Sequence, residues 1–126
     1  MTSWSISSQI TVAGGMTSNE SNIFIANDAT NAIFLYTLNG IYTGVNWTLE
    51  TENTNPRDLA SNGTDIWIAD DVLPNRIYHY LSNGTFVNRT NTGMSFLSGI
   101  TTDNKNLYAG GYSDDLSNFT MSGSSV

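Results

Sequence analysis

The stretch DIWIADDVLPNRIYHYLSNG (residues 65–84) repeats the pattern of NIFIANDATNAIFLYTLNG (residues 22–40), and that repetition decides the fold. Ile23 and Ile66 open the two copies 43 residues apart, and Leu107 opens a weaker third copy, NLYAGG, 41 residues later. Aromatics follow at Phe24, Trp67 and Tyr108, and two places on stand the small residues Ala26, Ala69 and Gly110. Residues two apart share one face of a strand, so each aromatic and its small partner lie on one side. Ile23 with Ile25, and Ile66 with Ile68, lie on the other. Both faces are apolar, which predicts strands covered on both sides.

Upstream, AGGMTSNESN, RDLASNGTDI and SGITTDNKNL each read as strand, polar turn, strand. Downstream, Ile33-Phe34-Leu35-Tyr36 aligns with Ile77-Tyr78-His79-Tyr80 and, in degraded form, with Asn118-Phe119-Thr120-Met121. Asn39-Gly40 and Asn83-Gly84 mark tight hairpins, because both turn residues must accept positive φ. Fourth strands follow over 41–49 and 85–90. The unit is four antiparallel strands in 41–44 residues, the period of a β-propeller blade. A lone blade cannot bury both faces, whereas stacked blades cover one another. No 3.6-residue period is present, which excludes a helical repeat. A β-sandwich and an open β-solenoid also satisfy the pattern.

The expected fold is all-β, with three four-stranded antiparallel blades: blade 1 over 13–50, blade 2 over 56–90 and blade 3 over 97–126. Trp4 matches Trp47 at the same 43-residue offset, so residues 3–12 are expected to form an outer strand that completes another blade. The stretch 56–86 resembles the NHL repeat of six-bladed propellers through Ala69-Asp70, Asn75-Arg76-Ile77 and Asn83-Gly84. The first copy keeps Ala26-Asn27-Asp28 and Asn31 but has Ala32 in place of the arginine, and the third has Gly110-Gly111 at the acidic position. The resemblance implies a propeller. NHL-like families include scaffolds, ligand binders and some enzymes, so it bears on fold more than on activity.

Three blades leave two end faces and a strand edge open, and both are association surfaces. Three arrangements would cover them: the chain itself as partner in a six-bladed dimer ring, the chain itself in a head-to-tail fibre, or the remaining blades of a longer chain of which this is half. Trp4, Ile6, Ile10, Phe119 and Met121 are the assembly candidates.

The composition narrows function. Net charge is −7 with only four basic residues, so no basic face exists to neutralise phosphates or an anionic membrane. The chain has no cysteine, which removes thiol chemistry and disulfides. No apolar run reaches membrane-spanning length. MTSWSISSQITV lacks the basic start and apolar centre of a signal peptide, so the chain is expected to be cytosolic or a mature piece of a secreted protein.

Asp70-Asp71 and Asp114-Asp115 are the acid pairs, and Asn27-Asp28 is equivalent to the first. Oxygen ligands suit calcium, but recurrence at equivalent positions points to Asx turns at strand ends. His79, the single histidine, falls at an inter-blade packing position and has no histidine partner for a metal. Asp58 and Asp103 are the carboxylates placed to approach a central channel, and Tyr112, Trp67 and Tyr42 are candidate aromatics for a ligand face, with core packing the expected role of Trp67. No catalytic residue, cofactor or metal is expected. Six N-x-S/T sequons occur, at Asn19, Asn46, Asn62, Asn83, Asn88 and Asn118, against about four by chance at this composition. With the acidic, Ser/Thr-rich composition they point to an extracellular or surface glycoprotein. The leading reading is a non-enzymatic module for self-association or structural assembly, with recognition as an added role. The runner-up is a half-propeller lactonase- or lyase-type enzyme completed by dimerisation, with a divalent metal in its channel.

Overall fold

A computed structural model describes residues 1–112 and 115–126. Asp114 of the second acid pair lies outside the described residues. Eleven antiparallel strands and no helix occur among the described residues. The first sheet runs β1 (Ala13–Ser18), β2 (Asn22–Asn27), β3 (Ala32–Thr37), β4 (Tyr42–Thr48). The second runs β5 (Pro56–Ser61), β6 (Asp65–Asp70), β7 (Arg76–Leu81), β8 (Phe86–Asn91). The third holds β9 (Gly99–Thr102), β10 (Asn106–Gly110) and β11 (Leu116–Thr120). Each strand pairs with its sequence neighbour, so each sheet is a meander. The sheets stack face to face, with the first strands β1, β5 and β9 side by side.

Two expectations are corrected. The third blade has three strands, not four. Residues 3–12 form no strand: Gln9 and Ile10 both donate to the Ile6 carbonyl, at 3.1 and 2.9 Å, which closes a turn. The segment folds back on blade 1, where Ile10 and Ile6 pack with Ile25 and Tyr36. A register is also corrected. Leu107 pairs with Phe119 as Ile23 pairs with Tyr36 and Ile66 with Tyr80. Phe119, not Met121, is therefore the third equivalent of the two tyrosines, and Asn118, not Thr120, is the equivalent of His79.

Every blade has a receiving face and a presenting face. Leu59, Ile66, Ile68, Tyr78 and Tyr80 of blade 2 receive Phe24, Ala26, Ile33 and Leu35 of blade 1. Ile100, Leu107, Ala109 and Phe119 of blade 3 receive Trp67, Ala69 and Ile77 of blade 2. The core is thus two inter-blade layers. The β1 strand approaches β5 backbone to backbone at Gly15, where a Cβ would stand 2.7 Å from the Asp58 Cα. At the other margin, a left-handed glycine lies in the turn after the third strand of each blade: Gly40, Gly84 and Gly123, with φ of 79°, 92° and 90°. A residue of the preceding repeat sits on each: Trp4 on Gly40, Trp47 on Gly84, Thr90 on Gly123. A Cβ at Gly84 would lie 2.6 Å from Trp47 Cγ. The Trp4–Trp47 equivalence is therefore a real repeat of position, although Trp4 lies on no strand.

Candidate functional site

The end faces are built from the same positions as the buried interfaces. On blade 1, Met16, Ile23, Ile25, Phe34 and Tyr36 occupy the receiving positions. Residues 4–10 cover part of this face: Ile10 is buried against Ile25 and Tyr36, with Ile6 beside it. Tyr36 Oη donates to Gln9 Oε1 at 3.2 Å, and Asn27 Nδ2 to the Gln9 carbonyl at 3.3 Å. The linker 49–55 does the same service between blades 1 and 2. There Tyr80 Oη accepts from Glu50 N (2.9 Å) and Asn53 Nδ2 (3.1 Å). Burial pushes the Tyr80 phenol up to about 12. The cover on blade 1 is incomplete, since Met16 is 57% exposed where Leu59 is 4% and Ile100 is 6% exposed.

On blade 3, Tyr108, Gly110, Leu116 and Asn118 occupy the presenting positions. They follow the aromatic, small, aliphatic order of Phe24-Ala26-Ile33 and Trp67-Ala69-Ile77. Leu116 is 76% exposed, whereas Ile33 and Ile77 are 0% and 3% exposed. The far face is more polar than two open apolar faces would require, because Asn118 and Thr101 stand where other blades carry Leu35 or His79 and Thr17 or Ala60.

The assembly candidates divide accordingly. Trp4 is half-exposed on Gly40, and Ile6 is half-buried. Ile10 and Phe119 are buried within the chain, and Met121 packs at the blade 2–3 core. Phe119 is therefore corrected as a partner contact: its register gives it to the receiving face of its own blade. Leu116 and Met16 were missed because a strand's outward face cannot be told from its inward face until the order of blades is known.

The polar candidates are mostly structural. Asp70 is fully buried and accepts from Asn55 N (3.3 Å) and Val72 N (2.9 Å). Burial raises its carboxyl above the ordinary range, against those hydrogen bonds. Asn27 makes the equivalent contacts with Val12 N and Ala29 N. Asp71 accepts from Leu97 N at 3.1 Å and faces Arg57 at 3.7 Å. Asp58 accepts from Ile100 N at 3.0 Å and so braces blades 2 and 3. Asp103 sits in the β9–β10 turn, where hydrogen bonds from Asn106 N and Lys105 N lower its carboxyl. Asp58 and Asp103 are not brought together. His79 stacks on Trp67 at 4.8 Å and meets Asp65 at 2.6 Å. Among the described residues no three His, Cys, Asp or Glu side chains gather as a metal site.

A cleft of about 560 Å³ opens where the first hairpins converge, between residues 18–21 of blade 1, 61–64 of blade 2 and Asn104 of blade 3. Its walls are hydroxyls, amides and the Glu20 carboxylate. Two sequon asparagines line it. Asn19 is half-buried and donates to the Gly63 carbonyl at 3.5 Å, whereas Asn62 is exposed. Asn83 is also exposed, Asn46 donates to Tyr42 Oη at 2.8 Å, Asn88 is half-buried, and Asn118 Oδ1 is buried without a partner among the described residues. Of the candidate aromatics, Trp67 is core, Tyr42 packs beside Phe34 and Tyr36, and Tyr112 is exposed beside Phe96.

Comparison with solved structures agrees with this arrangement. Virginiamycin B lyase from Staphylococcus aureus superposes with a TM-score of 0.69 at 19% identity, over 88% of this chain and 39% of that one. The fold is a β-propeller arc. A chain of the nidogen–laminin complex gives a TM-score of 0.71 at 23% identity, over 90% of this chain and 46% of that one. A protein of unknown function from Bacteroides caccae gives 0.57 at 12% identity, over 90% and 44%. The chain thus spans less than half the length of these propellers. No family model and no curated protein matches the sequence. The neighbours include both an enzyme and a protein of a binding complex, so the fold is shared across activities.

Proposed function

We propose that this chain is a non-enzymatic, propeller-type association module, whose end blades dock on further blades of the same kind. One observation carries the reading: the exposed positions of blades 1 and 3 are the same positions that form the two buried interfaces inside the chain. The partner is a second copy, in a six-bladed ring or a head-to-tail fibre. Leu116→Asp tests it. Leu116 is solvent-exposed, so the substitution should leave the melting temperature within about 2 °C, since surface changes cost little, while abolishing association by light scattering. Unchanged association would sink the reading.

The module is extracellular in this reading, and its glycan acceptors are Asn62 and Asn83. Both are exposed, and their Oδ1 atoms serve the turns, accepting from Thr64 N and Asp65 N, and from Thr85 N. A second reading draws on the polar cleft and the likeness to a lyase. It is a half-propeller enzyme of lyase or lactonase type, completed by dimerisation and holding a divalent metal. Calorimetric titration with calcium separates the two, since that reading requires binding heat.

A further inference from the structure

We propose that Asn62-Gly63 is a self-modifying site. The Asn62 side-chain amide closes to a succinimide, loses ammonia and opens to an aspartyl or isoaspartyl residue, while the fold holds the other two Asn-Gly pairs inert. The inference stands apart from the association reading and concerns the wall of the polar cleft.

The sequence supplies its own control. Asn-Gly pairs occur at 39–40, 62–63 and 83–84, and two of them lie in the same tetrapeptide, Ser-Asn-Gly-Thr, at 61–64 and 82–85. Glycine has no Cβ to shield its backbone, so its nitrogen can reach the side-chain carbon of the asparagine before it. The shared tetrapeptide gives sites 62 and 83 the same starting reactivity. A difference between them therefore comes from the fold.

The nucleophiles differ first. Gly84 N donates to the Leu81 carbonyl and Gly40 N to the Thr37 carbonyl, each at 2.9 Å. Both glycines also lie under an indole, Gly84 under Trp47 and Gly40 under Trp4. Attack by either nitrogen would break a turn hydrogen bond and lift the turn off its tryptophan. Gly63 is exposed, and a Cβ there would meet nothing within 4 Å. Its N–H donates to Ser61 Oγ at 3.0 Å, a surface bond that breaks without disturbing the strand ladder.

The electrophile is also prepared. Asn62 Oδ1 accepts from Thr64 N at 3.1 Å and Asp65 N at 2.9 Å. Thr64 Oγ1 is shared between that oxygen, at 3.2 Å, and Asp65 Oδ1, at 2.8 Å. Asn83 Oδ1 accepts from Thr85 N at 3.0 Å. Negative charge gathers on this oxygen as the glycine nitrogen adds to Cγ, so fixed donors there stabilise the adduct.

Water closes the balance. The Gly63 N–H proton goes to hydroxide, the bond from Gly63 N to Asn62 Cγ forms, and the Cγ–Nδ2 bond breaks. Ammonia leaves with a proton taken from water, and a second water opens the ring at either carbonyl. Either product sets another carboxylate on a cleft that Glu20 already lines. The aspartyl form keeps the turn, because its oxygen accepts the same donors. The isoaspartyl form adds a methylene to the main chain and shifts the Gly63 carbonyl, which Asn19 Nδ2 meets at 3.5 Å.

The chain is made in a host without N-glycosylation, because a sugar on Nδ2 would remove ammonia as the leaving group. It is aged at neutral pH, both folded and in urea. Peptide mapping by mass spectrometry follows each site, and enzymatic methylation counts isoaspartate. Expected in the folded chain is ammonia loss at 62 at least about tenfold faster than at 83, within what one oxyanion donor supplies. Both aspartyl and isoaspartyl products should form, and in urea the two rates should converge. No loss at 62, equal rates in the folded chain or faster loss at 83 would overturn the proposal. So would the same preference persisting in urea, or aspartate as the sole product.

Discussion

Gly84→Ala tests the seat on which blade stacking depends. At φ of 92° an alanine pays about 1–2 kcal/mol for its left-handed backbone. Its Cβ would also stand 2.6–2.9 Å from three atoms of Trp47, an overpacking worth about 1–3 kcal/mol. The sum is about 2–5 kcal/mol. Gly63 is the internal control: its φ is 104° and a Cβ there meets nothing within 4 Å. Gly63→Ala should therefore cost only the backbone part, about 1–2 kcal/mol. At about 4 °C per kcal/mol for a chain of this size, the drops are about 4–8 °C for Gly63→Ala and about 8–20 °C for Gly84→Ala. Adding Trp47→Ala to Gly84→Ala removes the clash, so urea unfolding of the full cycle should show a coupling of about 1–3 kcal/mol. Equal costs at the two glycines, with no coupling, would refute the packed seat.

Three further outcomes follow from the same geometry. Asp70→Asn should stabilise the chain at neutral pH. Burial raises the folded carboxyl, so stability is greatest below the unfolded value of about 3.9 and falls as pH rises through the folded value. An asparagine removes that loss and copies Asn27. Melting curves across pH 3–7 should flatten in the variant, and an unchanged slope counts against a buried charge. The Tyr80 phenol is held at about 12, against about 10 unfolded, so its contribution is whole below pH 10 and drains away towards 12. Tyr80→Phe should erase this alkaline loss and cost about 1–3 kcal/mol at neutral pH by stranding Glu50 N and Asn53 Nδ2. Equal unfolding midpoints for both chains at pH 7 would show that the hydroxyl is idle. Deleting residues 1–12 should bare Ile25 and Tyr36, raise binding of a hydrophobic dye and end association; a truncated chain that associates normally refutes the role given to that segment.

The blades were legible because three signals agreed at a fixed period: aromatic-x-small on one face, Ile-x-Ile on the other, and Asn-Gly at the hairpin. The third hairpin was hidden because Ser122-Gly123 replaces Asn-Gly, and a glycine among Ser and Thr carries little local signal. That loss moved the third-strand register by two residues and mistook Phe119 for a partner contact. The first twelve residues share the period of a fourth strand, yet a strand needs an edge to pair with, and sequence periodicity does not report whether that edge lies in the same chain. Asp70 and Asn27 were readable as turn-makers because carboxylate and amide oxygens accept the same backbone donors. The burial of Asp70 was not, since it depends on the linker folded over it.

The seats and the close approach of β1 to β5 also form a taper. At one margin of the stack Gly15 lets two backbones nearly touch, while at the other Trp4 and Trp47 are seated on the hairpins at Gly40 and Gly84. Small residues at the hub and indoles at the rim make each joint a wedge, and a row of wedges bends. Thr90 does the same work as the indoles with far less bulk, so the second joint is the thinner wedge. Residue volume at positions 47 and 90 therefore bears on how far apart the outer margins of neighbouring blades stand.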